Sequence, residues 1–374
     1  MASVYIHVPF CKQACNYCNY HFSTKLEKKD LLINSLLKEI ELRNNELKNN
    51  KVHSIYFGGG TPSILKKSII KSLIDSVRHN FNLDKKIEIC LEINPDDIKD
   101  GDIENYIEIG VNRISVGVQS FFDSDLALMN RRHDSEQAIN VIEKVKKNLK
   151  NYSIDLIYGI PNMTIEKWSK NLQTAIGFSP PHISAYALTI EENTVFSDWV
   201  NKKKINLLSE KEVLHQFNFT LKFLEKKGYD HYEISNFGKR NFYSKNNESY
   251  WLGESYIGIG PSAHSFDGKY RSWNISNNIK YINNIKLNKL PVRREKLSKN
   301  DKFNEYIMIG LRTIWGVSSK RVLNEFGKDY LSLIKEKSKK HIKSSNLFWD
   351  GEILRISNKA KFLTDGIASD LFII

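Results

Sequence analysis

Short runs of apolar and β-branched residues alternate with longer amphipathic stretches through the first half of the chain, and this pattern predicts βα units around a parallel sheet. Strands are expected near 4–8, 53–57, 87–93, 112–118, 152–157 and 182–188, with helices near 28–48, 66–81, 100–109, 134–149, 164–176 and 209–227. Turn residues punctuate the strand ends: Gly58-Gly59-Gly60, Asn94-Pro95, Gly117 and Gly159-Ile160-Pro161. In a parallel barrel that carboxyl edge carries the functional groups.

From about Tyr229 the alternation changes. Tyr232 to Phe237, the Trp251 region and Gly258-Ile259-Gly260-Pro261 read as strands and turns continuing the barrel's end, and the Asn- and Lys-rich stretch 267–300 reads as a linker. Further on, an apolar helix is expected at Asn304 to Ile314, another near 319–340, and a β-ribbon at Phe348 to Ser357. The expected class is α/β: a partial (β/α)6 TIM-like barrel over 1–235, a barrel extension and linker over 236–300, and a small, mostly helical C-terminal domain over 301–374.

Composition narrows the function classes. In 374 residues, 41% of them hydrophobic, no apolar run approaches the roughly 20 residues of a membrane helix, so no stable membrane insertion is expected. The strand-like Val4-Tyr5-Ile6-His7-Val8 begins too early to leave room for a signal peptide, which points to the cytoplasm. A net charge of +13 raises the question of nucleic acid. Lysines are dispersed, however, and runs such as Lys202-Lys203-Lys204 lie in polar, helix-like stretches, which favours solvated faces over a phosphate-binding surface.

The cysteines change the picture most. Cys11, Cys15 and Cys18 are spaced four and three apart, so one short loop can wrap three thiolates around a small inorganic core. Thiolates select iron–sulfur clusters or zinc. A [4Fe–4S] cube usually takes four such ligands, and three leave one iron open for an exchangeable ligand. The alternative is a structural zinc site completed by His7 or His21. Cys90 lies inside the run Ile87-Glu-Ile-Cys-Leu-Glu-Ile and reads as a core thiol.

With these residues in view, the sequence resembles the radical SAM superfamily, whose hallmark is this cysteine spacing after the first strand. Further stretches resemble the branch that holds the oxygen-independent coproporphyrinogen oxidases and their relatives the heme chaperones. They are Tyr5-Ile-His-Val-Pro-Phe-Cys11, Gly58-Gly-Gly-Thr-Pro62-Ser63, Glu92-Ile-Asn-Pro-Asp96, Asn112-Arg-Ile-Ser-Val-Gly-Val-Gln-Ser-Phe121, Asp155-Leu-Ile-Tyr-Gly-Ile-Pro161, His182-Ile-Ser-Ala-Tyr-Ala-Leu-Thr-Ile-Glu191 and Tyr232-Glu-Ile-Ser-Asn236.

The resemblance implies that S-adenosylmethionine (SAM) chelates the open iron. It makes Gly59, Gly60 and Thr61 a close backbone approach to the methionine end of SAM, and Glu92 an acceptor for its ribose hydroxyls or amino group. Gln119, Arg131 and Asp155 correspond to further SAM contacts, with the planar fork of Arg131 suited to the carboxylate. Tyr5 and Tyr17 resemble positions near the ligand and the adenine, and Phe10 and Phe22 bracket the loop and would shield a cluster from water.

Within the branch, the oxidases carry a further cysteine two residues after the third ligand and a long segment before the first. Here Tyr20 occupies that position and Cys11 stands near the start, so the resemblance favours a chaperone that binds heme and delivers it to acceptor hemoproteins, supplied by a reducing electron donor. The oxygen-independent coproporphyrinogen III oxidase is the alternative. One departure stands out: the chaperones' His-Asn-x-x-Tyr-Trp stretch reads Asn246-Asn247-Glu-Ser-Tyr250-Trp251. Asn247, Tyr250 and Trp251 remain candidates to touch heme, with His264 and His231 as candidate imidazoles.

Overall fold

Six strands lie side by side and parallel in the computed structural model, which describes residues 1–373. In chain order the first elements are β1 (Ala2–Val8), α1 (Lys29–Leu42), β2 (Val52–Gly59), α2 (Lys67–Asn80), β3 (Leu83–Ile93), α3 (Asp102–Glu108), β4 (Arg113–Gln119), α4 (Asp123–Leu128), α5 (Ser135–Asn148), β5 (Tyr152–Tyr158), α6 (Ile165–Gly177) and β6 (His182–Ala187). Next come α7 (Val195–Asn201), α8 (Glu210–Lys226), β7 (Asp230–Glu233), β8 (Asn236–Gly238), α9 (Lys245–Leu252), β9 (Ser255–Ile259), β10 (His264–Phe266), β11 (Tyr270–Asn274), α10 (Asn278–Lys286) and β12 (Val292–Lys296). The chain closes with α11 (Lys299–Arg312), β13 (Val317–Ser318), α12 (Ser319–Phe326), α13 (Lys328–Lys343), β14 (Leu347–Asp350), β15 (Ile353–Ile356) and α14 (Thr364–Asp370).

The main sheet runs β12-β11-β10-β9-β1-β2-β3-β4-β5-β6-β8-β7. Its centre is parallel, including β9 beside β1, and both flanks are antiparallel. The two outer strands, β12 and β7, do not pair with each other, so the barrel is partial. A parallel sheet covered on both faces needs strands buried throughout. β1 and β5 are buried except at one position each, Tyr5 and Asp155, and these open positions face the cavity described below. Helix entries are fixed by side-chain caps: Asp134 with Gln137 at α5 and Ser209 with Glu212 at α8 form capping boxes, each cap contributing about 1 kcal/mol.

The expected linker over 267–300 is instead structured. β11 and β12 extend the sheet, pairing Tyr270 with Lys296 through Asn274 with Val292. Polar, exposed residues on an outermost strand protect its edge, and they erase the hydrophobic signal that would have announced it. α10 seats Tyr281, Ile282 and Ile285 in the core, and the buried Glu39 carboxylate of α1 accepts hydrogen bonds from Gly260 N (2.8 Å), Asn274 Nδ2 (2.8 Å) and Tyr281 Oη (2.5 Å).

The helix expected over 319–340 is two helices, broken at Gly327, whose φ of 93° suits glycine. Phe303, Ile307, Leu311, Val322, Phe326 and Leu354 belong to a second hydrophobic cluster, separate from the barrel core, around the small sheet β13-β15-β14.

Candidate functional site

A cavity of about 560 Å³ opens at the carboxyl ends of the parallel strands. Tyr5, Cys11, Cys15, Tyr17, Cys18, Gly59, Gly60, Thr61, Glu92, Gln119, Arg131 and Asp155 all line it, as do Asn247, Tyr250 and Phe22. Residues from strands β1 to β6, the loop after β1 and the helix α9 thus meet in one space.

The cysteine loop has no regular structure of its own and is held from outside. Cys11 N donates to Ser23 O (3.1 Å) and Asn16 N to Met129 O (3.1 Å). Gln13 Nε2 reaches Asn130 Oδ1 (2.8 Å), Asn16 Nδ2 reaches Leu128 O (2.8 Å), and Asn130 Nδ2 returns to Ala14 O (2.7 Å). The turn after α4 therefore clamps the loop, with Asn130 at φ 57°, a left-handed conformation that asparagine tolerates. Neither α4 nor this clamp was expected, because a six-residue helix carries too little periodicity to register.

All three thiols are free and half-buried. Thr61 Oγ1 donates to Cys11 Sγ (3.4 Å) and Arg131 Nη1 to Cys15 Sγ (3.4 Å), while Arg131 Nη2 donates to Asn94 Oδ1 (2.6 Å) and Gly117 O (2.9 Å). Burial pushes the Cys11 thiol up to about 11, against the opposing Thr61 hydroxyl, and raises Cys18 as well. Among the described residues no three His, Cys, Asp or Glu side chains are gathered tightly enough to hold a metal ion as they stand. The donor set nevertheless fits an iron–sulfur cube: soft sulfurs on one adaptable loop, beside a buried guanidinium whose Nε has no partner among the described residues. The zinc alternative fits poorly. His7 has both ring nitrogens engaged, with Tyr5 Oη (3.2 Å) and His21 O (2.8 Å), and His21 Nε2 is bonded to Asn278 Oδ1 (2.7 Å).

Gly60 packs against this loop so closely that a Cβ would stand 2.6 Å from Phe10 O. Gly59, at φ 107°, would place a Cβ 2.4 Å from the His7 ring. Glycine is thus required at Gly60 by backbone approach to the loop, and at Gly59 by the positive φ and the His7 ring of β1. Across the cavity, Glu92 Oε1 accepts from Tyr56 Oη (2.7 Å), and Asp155 accepts from Ser115 Oγ (2.7 Å) and Ser153 Oγ (3.0 Å). Burial, with Asp155 nearby, lifts the Glu92 carboxyl to about 7, and burial raises Asp155 too.

Not every candidate arrives. Trp251 and His264 lie outside the cavity lining. A helix turns about 100° per residue, so α9 presents Asn246, Asn247 and Tyr250 inward while Trp251 turns toward Arg312, 6.0 Å away. His264 is exposed on β10 beside Trp273 (6.1 Å). His231 is buried elsewhere, bonded to Ile234 O (3.1 Å) and Lys361 Nζ (2.9 Å). Cys90 is fully buried, as expected of a core thiol, yet it borders the cavity floor. Sequence reasoning missed Tyr56, Asn94, Arg113, Ser115, His182 and Asn246 as lining residues. Period-two counting from Glu92 would have found Asn94, whereas Ser115 is placed by strand register, which sets it beside Glu92.

A family model described as the radical SAM superfamily matches residues 5–175. The heme chaperone HemW of Buchnera aphidicola subsp. Schizaphis graminum is 37% identical over 362 residues, covering 93% of both chains. The heme chaperone HemW of Lactococcus lactis subsp. lactis is 32% identical over 376 residues, covering 98% of both. Among solved structures, the coproporphyrinogen III oxidase (HemN) from Escherichia coli superposes with a TM-score of 0.86 over 99% of this chain and 90% of its own, at 22% identity, a likeness of fold. The superfamily implies a [4Fe–4S] cluster and SAM. Together, a match to that model and identities of this size over nearly the full length place the chain in the HemW family of the radical SAM superfamily.

Proposed function

We propose that this protein is a heme chaperone that holds a [4Fe–4S] cluster through Cys11, Cys15 and Cys18, binds SAM beside it, and passes heme to acceptor hemoproteins in the cytoplasm. The observation that carries the reading is the shared cavity: three thiols on one side, the Glu92 and Asp155 carboxylates on the other, and Arg131 between Cys15 and Asn94. When bound, a reduced cluster and SAM supply cleavage of a carbon–sulfur bond. Gly59, Gly60 and Thr61 offer backbone to the methionine end, Arg131 pairs with its carboxylate, and Glu92, Gln119 and Asp155 accept or donate hydrogen bonds to the ribose and amino group. Tyr5 and Tyr17 bound the ligand with flat apolar surface.

For heme, support comes from the relatives' names and from the aromatic character of the cavity. Tyr250 lines it beside Asn247, and Tyr20 and Tyr186 stand exposed at its lining. An asparagine at 246 is a poor iron ligand, so the macrocycle's faces would carry the contact. The test is heme titration of anaerobically reconstituted protein, with porphyrinogen turnover measured on the same sample. Saturable heme binding without turnover is expected. Turnover of porphyrinogen would establish the oxidase instead.

A further inference from the structure

Asp155 is the end of a buried hydrogen-bond chain that none of the roles above uses. Its Oδ1 accepts from Ser153 Oγ (3.0 Å), Ser153 Oγ meets His182 Nδ1 (2.8 Å), and His182 Nε2 meets Tyr232 Oη (2.8 Å). Ser244 N donates to the same Tyr232 oxygen (3.4 Å). Ser153, His182 and Tyr232 are at most 1% exposed. Burial drives the His182 imidazole far below its ordinary range, so the ring is neutral and has a single N–H.

The direction of each bond then follows from valence. A carboxylate only accepts, so the Ser153 hydrogen goes to Asp155 and the Ser153 oxygen accepts from His182 Nδ1–H. Nε2 is left as the acceptor for Tyr232 O–H. Every hydrogen points toward Asp155, and polarised chains of this kind strengthen one another in a low-dielectric interior. Ser115 Oγ (2.7 Å) and the Ser184 hydroxyl complete the carboxylate's donors. Tyr232 in turn is fixed by stacking on Tyr243 (4.3 Å) and by the edge of Trp315 (6.4 Å), and its carbonyl accepts from Ile314 N (3.0 Å).

We propose that His182 and Tyr232 are positioning residues: acting through Ser153, they aim Asp155 into the cavity and hold it as the carboxylate that SAM meets. This rests on the reading that Asp155 contacts SAM. The groups that face Asp155 are Glu92 and Cys90 from β3, Tyr56 from β2, Arg113 from β4, and His182 and Tyr186 from β6. Only Arg113 among them favours the charged carboxylate electrostatically, which leaves the hydroxyl donors to do the rest.

The experiment is calorimetric SAM titration of the reconstituted full chain across pH, comparing parent, Asp155→Asn, His182→Leu, His182→Asn and Tyr232→Phe. Asp155→Asn should weaken SAM about tenfold, the scale of one hydrogen bond to a charged group, and abolish the part of the acid limb that belongs to Asp155, leaving the part that belongs to Glu92. His182→Leu should reproduce part of that loss and move the Asp155 limb up by about one pH unit, because Ser153, no longer held by Nδ1–H, is free to turn its hydroxyl away from the carboxylate, which then protonates more readily. Tyr232→Phe should move it less in the same direction. His182→Asn, whose amide N–H stands in for Nδ1–H, should restore the parent profile. A folded His182→Leu protein with the parent's affinity and pH profile, beside an impaired Asp155→Asn, would overturn the positioning role alone. Should His182→Leu fail to fold, an unshifted profile in Tyr232→Phe overturns it as well. Parent-like binding by Asp155→Asn would overturn the SAM reading, and the inference with it.

Discussion

The two walls of the cavity are built by different means. On one side the cysteine loop is irregular backbone, tied down by hydrogen bonds to the turn after α4 and by the tight seat of Gly60, with half-buried thiols that are not gathered in advance. On the other, Glu92 and Asp155 project from paired parallel strands and each is braced by hydroxyls. A loop can reshape around an inorganic core, and metal binding then supplies the ordering free energy. Strand positions are fixed before any ligand arrives, which lowers the entropic cost of holding an organic one. The loop wall therefore suits a cluster and the strand wall suits SAM.

The largest effect that would sharpen this contrast is on the loop wall. Cys15→Ala should abolish the iron–sulfur absorbance after anaerobic reconstitution and leave far-UV circular dichroism unchanged; retained iron would break the ligand assignment. On the strand wall, Glu92→Gln should weaken SAM by about tenfold with iron content intact. The parent's SAM affinity should rise with pH through the region of 7, where Glu92 loses its proton, and the variant should lack that limb.

Linkage gives a further handle on Glu92. Its folded value of about 7 lies above the ordinary 4.5, so the folded state holds the proton more tightly. Its contribution to stability is fully present below the unfolded value and lost as pH rises through about 7. Thermal melts of the apo protein should lose stability over that interval, and Glu92→Gln should flatten the slope. A slope unchanged in the variant would assign it to other groups.

Smaller effects follow. Asn130→Ala removes the bonds to Ala14 O and Gln13 at a left-handed position, and should lower stability by about 1–3 kcal/mol while shortening the lifetime of the bound cluster. Faster loss of iron is the readout; a parent-like decay would mean that the clamp is dispensable. Smallest of all, His264→Ala should leave heme and SAM titrations unchanged, since its ring lies outside the cavity.

How much of this could be read from the chain depended on periodicity. The apolar runs that became β1 to β6 were long, β-branched and separated by helices of ordinary length, so their order and even their turn glycines were legible. β12, Val-Arg-Arg-Glu-Lys, was not, because an exposed edge strand has no buried face to write a pattern. Of the candidates, those set in distinctive local strings line one cavity: the cysteine triad, Gly59-Gly60-Thr61, Glu92. His182 and Tyr232 lay in quoted stretches, but their meeting across 50 positions at 2.8 Å is a product of the fold alone. Trp251 and His264 lie outside the cavity lining for a related reason, since adjacency in sequence does not settle which side of a helix or sheet a residue faces.

The central claim is that three thiolates hold a cube with one iron free for SAM. Electron paramagnetic resonance of the reduced, anaerobically reconstituted protein, recorded before and after adding SAM, tests it most directly. A [4Fe–4S] signal that shifts on SAM addition is predicted. A signal that SAM leaves unmoved, or a protein that takes up zinc and no iron, would contradict it.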